Sequence, residues 1–202
     1  MNIIKKIETA DKKIIKESIY LLDGEIQDSI FFNLSERLKY EYIKKFIVDK
    51  NLYLYGNFLK GELIGCALLA ENPGEYLKSF KSLNYKIIFH LIKNLKFITL
   101  INIFFVYFKI DIFFLDSNKK IIINKNINLN LIAIKNSFQS KGLGSIFLKR
   151  IIDDFKNNKK NSITLEANNI KAISFYKKKM KFREIGYKIR LFKKQTILMK
   201  DF

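Results

Sequence analysis

The chain is poor in residues that cross-link or interrupt a fold. Cys66 is the one cysteine among 202 residues, so no internal disulfide forms and a reducing compartment is expected. It lies in the apolar run LIGCALLA, which reads as a buried, inert thiol. One proline and eight glycines leave little material for linkers, so a single domain over 1–202 is expected. The opening residues, MNIIKKIETADKK, lack the apolar core and small-residue cleavage site of a signal peptide, and the protein is expected to stay in the cytoplasm. The one histidine, His90, sits in IIFHLIK, where a buried, hydrogen-bonded ring is expected. No metal site is read from the sequence.

Acidic residues are also scarce: 19 Asp and Glu against 38 Lys and Arg give a formal net charge of +19. Such a charge favours anionic partners, whether nucleic acid, a membrane surface or phosphorylated small molecules. The lysines are nevertheless scattered, with no long basic block, and accompany abundant Asn, Ile and Phe. Solvated surface is therefore the preferred reading, and nucleic acid is not expected as a partner.

Hydrophobic residues make up 49% of the chain, enough for a sizeable core. Residues 3–8 suggest a first strand, and Thr9 or Asp11 suits the cap of a helix to about Leu22. Ser35 to Ile47 has apolar positions at helical spacing. Leu52–Phe58 and Glu62–Ala70 read as a hairpin turning at Lys60-Gly61. Asn72-Pro73-Gly74 then punctuates the chain. Residues 75–120 begin with helical periodicity and run into FITLINIFFVYFKIDIFFL. Lys109 and Asp111 argue against a membrane span there. Buried core, a homodimer interface and a membrane-surface element are the readings left open.

An orderly alternation begins near Ile127. Asn128–Lys135 reads as a buried strand. Gly144–Phe155 reads as a helix with Ile146, Phe147, Ile151 and Ile152 as its main apolar residues. Ser162–Glu166 reads as a strand, and Asn169 opens a helix over Ile170–Lys179. Two closing strands fall around Phe182–Arg190 and Lys194–Lys200. This order implies an α/β or α+β sandwich.

One segment of this half points to chemistry. Ile132-Ala133-Ile134 leads into Gln139-Ser140-Lys141-Gly142-Leu143-Gly144-Ser145, so a buried strand enters a glycine-containing turn that opens a helix. The free N–H groups at a helix N-terminus attract anions, and glycine admits positive φ and close backbone approach. A pyrophosphate suits such a turn, and Lys141 would add charge. The pattern is neither the dinucleotide fingerprint nor a P-loop.

Gln139-Ser140-Lys141-Gly142-Leu143-Gly144 resembles the Q/R-x-x-G-x-G/A element of the GNAT superfamily of N-acetyltransferases. Asn169-Ile170-Lys171-Ala172 with Phe175-Tyr176 resembles its second element, Asn-x-x-Ala followed by an aromatic pair. The likeness is good over the cofactor-binding half, 127–199, and loose over 1–72. It implies a central, mostly antiparallel mixed sheet flanked by helices, with the apolar insertion 75–120 between the third and fourth strands. It implies acetyl-CoA as acyl donor. Backbone groups of Ile132, Ala133 and Ile134 would pair with the pantetheine arm, and amides from Gln139 through Ser145 would hold the pyrophosphate. Asn169 would contact the cofactor, and Tyr176 would protonate the departing thiolate.

The acceptor implied is a small-molecule primary amine, with an amino sugar or nucleotide-linked amino sugar preferred for this basic protein. The rival reading is a degenerate module of the same fold that binds CoA, a membrane or a polyanion. The family usually carries glycine where Lys181 stands, and the segment before it is one residue longer. A corner that turns differently is therefore expected, and a displaced, merely packed Tyr176 is the alternative to its role as acid. The general base is not visible: Asn128 and Asn130 stand where the family often places a carboxylate, Glu166 is expected to pair structurally and His90 to be buried, leaving Glu71 or a water chain.

Overall fold

The computed structural model describes residues 2–26, 31–71, 76, 79–94, 96–107, 126–158, 160–190 and 193–202. Asn72-Pro73-Gly74 and the second part of the insertion, 108–120, lie outside them.

Strand β1 (Asn2–Lys6) is followed by α1 (Lys12–Glu25), which Asp11 caps by accepting from the Lys13 N–H at 2.6 Å. Helix α2 (Glu36–Val48) is capped by Ser35. Strands β2 (Leu52–Leu59) and β3 (Glu62–Ala70) form a two-residue hairpin whose Lys60 and Gly61 have φ of 51° and 85°. Two positive φ values match the twist of a tight hairpin. Helices α3 (Lys81–Lys93) and α4 (Phe97–Tyr107) occupy the insertion between the third and fourth strands. The alternating half supplies β4 (Ile127–Ile134), α5 (Leu143–Asn157), β5 (Ser162–Ala167), α6 (Ile170–Ser174), β6 (Arg183–Arg190) and β7 (Lys193–Asp201).

The seven strands form one sheet in the order β1-β2-β3-β4-β5-β7-β6. Only β4 and β5 are parallel. A parallel pair needs a crossover, and α5 provides it.

Two large apolar cores result among the described residues, beside a small cluster of Ile185, Ile197 and Met199. One joins α1, α2 and α3 to residues such as Leu54, Cys66 and Leu68. The other joins α5 to Tyr55, Ala67, Leu69 and Leu129. Because β3 alternates between the two sets, α1–α3 and α5 cover opposite faces of the sheet. Both faces being covered explains why β3 is apolar throughout rather than alternating.

Cys66 is fully buried, and burial pushes its thiol up to about 12, so it is inert at neutral pH. On α5, Phe147, Leu148, Ile151, Ile152 and Phe155 are buried and Ile146 is exposed. One expectation fails locally. His90 is half-exposed on α3, where Asn94 hydrogen-bonds its backbone carbonyl and contacts its ring.

Candidate active site

β4 and β5 pair only through Ile127↔Ile163, Asn128↔Thr164 and Leu129↔Leu165. Beyond that point they part: β4 stays with β3 as far as Ile134, and β5 stays with β7 as far as Ala167. A bulge marks the divergence. Leu69 faces Leu129 and Leu68 faces Leu131, so Asn130 has no opposite number on β3. An extra residue on one strand bends it away from its neighbour. The gap is a cleft of about 500 Å³, lined by Glu25, Asn130, Ile132, Glu166, Asn169 and Tyr176 among others.

The free edge of β4 can be read residue by residue. The Lys135 N–H donates to the Ile64 carbonyl at 2.8 Å, on the β3 side. Backbone direction alternates along a strand, so Ala133 and Leu131 also turn their polar groups to β3. Ile132 and Ile134 turn theirs to the cleft. Gln139 Nε2 takes the Ile134 carbonyl at 2.8 Å. The cleft edge therefore presents the Ile132 N–H and C=O and the Ile134 N–H. Gly65 lies under the Ile134 side chain, whose Cδ1 would have to move for a Cβ there.

At the end of β4 the chain makes a single 3-10 turn (Asn136–Phe138) and reverses into α5. Ser140 and Gly142 are left-handed, with φ of 60° and 79°. Glycine bears this freely, whereas a side chain costs about 1 kcal/mol or more. The first-turn amides of α5, including those of Leu143 and Gly144, have no carbonyl one turn earlier to bond. The Ser145 and Ile146 N–H groups already reach the Gly142 carbonyl at 3.1 and 3.2 Å. The Gln139 N–H is likewise spent, on Asn136 O at 3.0 Å. Lys141 is exposed, its Nζ 5.5 Å from the Phe138 ring centroid. The Ser145 hydroxyl is buried without a hydrogen-bond partner.

Glu25, at the end of α1, braces this turn. Its carboxylate accepts from the Asn136 N–H at 2.8 Å and from Gln139 Nε2 at 2.7 Å. The bond spans 111 residues, and nothing local in the sequence signals it.

On the opposite wall, Asn169 Oδ1 caps α6 by accepting from the Lys171 N–H at 2.8 Å. The helix then widens into a π turn over Phe175–Lys179, closed by Met180 N–H to Phe175 O at 3.2 Å. This wider turn absorbs the additional residue seen in the sequence. Lys181 follows with φ of 60°, adopting the conformation that glycine usually supplies. The corner thus turns in the left-handed manner without glycine, contrary to expectation, and Tyr176 stays on the cleft wall. Its ring packs edge-on against Phe175 and Phe182, and burial pushes its phenol up to about 12. A proton held that firmly is present across the physiological range.

The base candidates fare differently. Asn130 Nδ2 is buried without a partner, a donor at the point of strand divergence that cannot titrate. Asn128 lies inside the sheet, opposite both Ala70 and Thr164. Glu71 is tied to Lys160, near the start of β4 and away from the cleft lining. Glu166 does line the cleft, but the buried Lys188 holds it at 2.6 Å. His90 is not among the lining residues. Glu25 and the bulge at Asn130 were not assigned from sequence. An Asn within a strand, where it fits poorly, is the one signal that pointed to the bulge.

With this geometry in place, comparison with known proteins is informative. Residues 107–182 match the acetyltransferase (GNAT) family. No curated protein matches the chain by sequence. Solved structures resemble it over their whole length. An apo agmatine N-acetyltransferase mutant aligns with a TM-score of 0.66 at 5% identity, covering 100% of each chain. The ribosomal-protein-S18-alanine N-acetyltransferase from Escherichia coli aligns at 0.59 and 12% identity, covering 100% of this chain and 94% of its own. The NatC complex bound to Gag peptide and CoA aligns at 0.59 and 10%, covering 100% and 98%. The fold is therefore that of the acyl-CoA-dependent N-acetyltransferases.

Proposed function

From a chain that carries the GNAT acetyltransferase domain at residues 107–182, within a GNAT fold throughout, we propose transfer of an acetyl group from acetyl-CoA to a primary amine in the β4–β5 cleft. The observation that carries this reading is the divergence of β4 from β5 at Leu129/Leu165, with a left-handed Gly142 turn above it and Tyr176 on its wall.

The residues present suit acetyl-CoA. The Gly142 turn offers amides and open space, since a Cβ at Gly142 would meet nothing within 4 Å and would suffer only from its φ. Ile132 and Ile134 offer strand-edge groups to the amides of a pantetheine arm, in the manner of an added strand. When bound, acetyl-CoA supplies an activated thioester. Backbone N–H groups on the cleft edge of β4 support negative charge on its carbonyl oxygen as the amine adds. The buried Asn130 amide is a further donor to that oxygen or to the acceptor. Tyr176 gives its proton to the departing sulfur. Among the described residues lining the cleft, Glu25 and Glu166 are held by partners and Tyr176 keeps its proton for the sulfur, so the amine sheds its proton to water.

The acceptor is assigned only as a primary amine. The solved neighbours' names speak of agmatine, a ribosomal-protein alanine and a peptide, and lend no support to the amino sugar favoured from sequence. Acetyl-CoA binding by calorimetry, followed by CoA release with amino sugars, agmatine and peptide N-termini, tests the reading. Binding that Gly142→Glu weakens at least about a hundredfold is expected, from charge against pyrophosphate and positive φ. Unchanged affinity would sink the assignment of the turn.

A further inference from the structure

Helix α3 is apolar on two faces, and the described structure covers only one of them. Leu83, Ile87 and Leu91 are buried against the core, beside a cluster of Tyr42, Phe46, Tyr76 and Phe80 with ring centroids 4.7 to 6.3 Å apart. Tyr42 and Tyr76 also join hydroxyls at 2.9 Å, so the hairpin is firmly seated. Yet Tyr85, Phe89 and Ile92, at spacings of four and three, form a second stripe, with Tyr85 and Phe89 each 71% exposed. On α4, Ile98 and Ile101, three residues apart, are exposed as well, Ile98 at 73%. A surface helix ordinarily turns polar residues outward. Contiguous exposed apolar stripes mark an interaction surface.

The charge around these stripes selects the partner. Residues 76–107 contain Lys78, Lys81, Lys86, Lys93 and Lys96 and no acidic residue. Lys81, Lys93 and Lys96 are exposed, and Lys86 reaches Glu41 of α2 at 2.8 Å. Two copies pressed together through this face would bring like charges into contact. An anionic bilayer would instead neutralise the lysines while taking up the aromatic and aliphatic side chains. Among the described residues no helix is long and apolar enough to cross a membrane. We propose that α3 and α4 dock this protein on the surface of anionic lipid membranes, with Phe89, Ile98 and Ile101 entering the headgroup boundary.

The chain has no tryptophan, so Ile98→Trp places a single fluorophore at an exposed point of the face. The full-length variant is titrated with phosphatidylcholine vesicles, with and without phosphatidylserine. The expected result is a blue shift and quenching by acyl-chain bromine on the anionic vesicles alone, reversed by salt. In the same background, Phe89→Ser with Ile101→Ser should lower partitioning at least about tenfold. Lys149→Glu with Lys156→Glu, exposed on α5 across the sheet, should lower it less. The proposal is overturned by no partitioning, by a blue shift that follows protein concentration without vesicles (a second copy), or by equal losses in both double variants (general charge alone).

Discussion

Along one edge β4 stays with β3 from Asn128 to Ile134, whereas along the other it stays with β5 only as far as Leu129. The closed edge is packed on both faces by fully buried side chains such as Cys66, Leu68 and Leu69. At the open edge the lining turns polar: Asn130, Glu166, Asn168 and Asn169 face the cleft with the Tyr176 phenol. The lesson is one of division of labour. The closed side fixes where the backbone of β4 lies, and the open side leaves that backbone's hydrogen-bonding groups for a ligand. A strand placed with less certainty could not present Ile132 and Ile134 in register.

Three perturbations test that division, beginning with the largest. Leu68→Ala empties a fully buried position on the closed side and should cost about 2–5 kcal/mol in denaturant unfolding. Acetyl-CoA affinity of the folded fraction should hardly move; a parallel fall would show that the two edges are not separable. Tyr176→Phe acts on the open side alone. It should lower turnover about a hundredfold with little change in acetyl-CoA affinity. Because the phenol is pushed up to about 12, it loses its proton only as pH rises towards that value. Wild-type turnover should therefore show no decline from this group at pH 7–10, and equal turnover in the variant would remove Tyr176 from the mechanism. The smallest effect is expected from Lys181→Gly. Glycine at φ of 60° should stabilise the fold by about 1 kcal/mol, read as a higher denaturant midpoint. A destabilised variant would mean that the Lys181 side chain matters more than the backbone conformation it tolerates.

Much of the fold was legible because its signals are local. Asp11 and Ser35 cap where a short polar side chain precedes helical periodicity, and Lys60-Gly61 turns where two residues separate two apolar runs. The turn at Gly142 was legible for the same reason: glycine between strand and helix has a conformational meaning of its own. His90 shows the limit of local reading. The apolar setting IIFHLIK suits a buried ring, but α3 turns Leu83, Ile87 and Leu91 inward and leaves His90 half-exposed. The corner after Tyr176 shows another. Its extra residue and absent glycine were visible, but a π turn and a left-handed lysine could not be read from composition.

By itself the sequence determined the order of elements outside 75–120, the glycine turn before α5 and the aromatic pair that ends in Tyr176, because each depends on neighbours within a few residues. Only the tertiary structure decided which edge of β4 is free, that Glu25 braces Gln139 from 114 residues away, and that Lys188 neutralises Glu166. These depend on strand register and on side chains far apart along the chain. Register follows from packing both faces of the sheet at once, which no local stretch of sequence encodes.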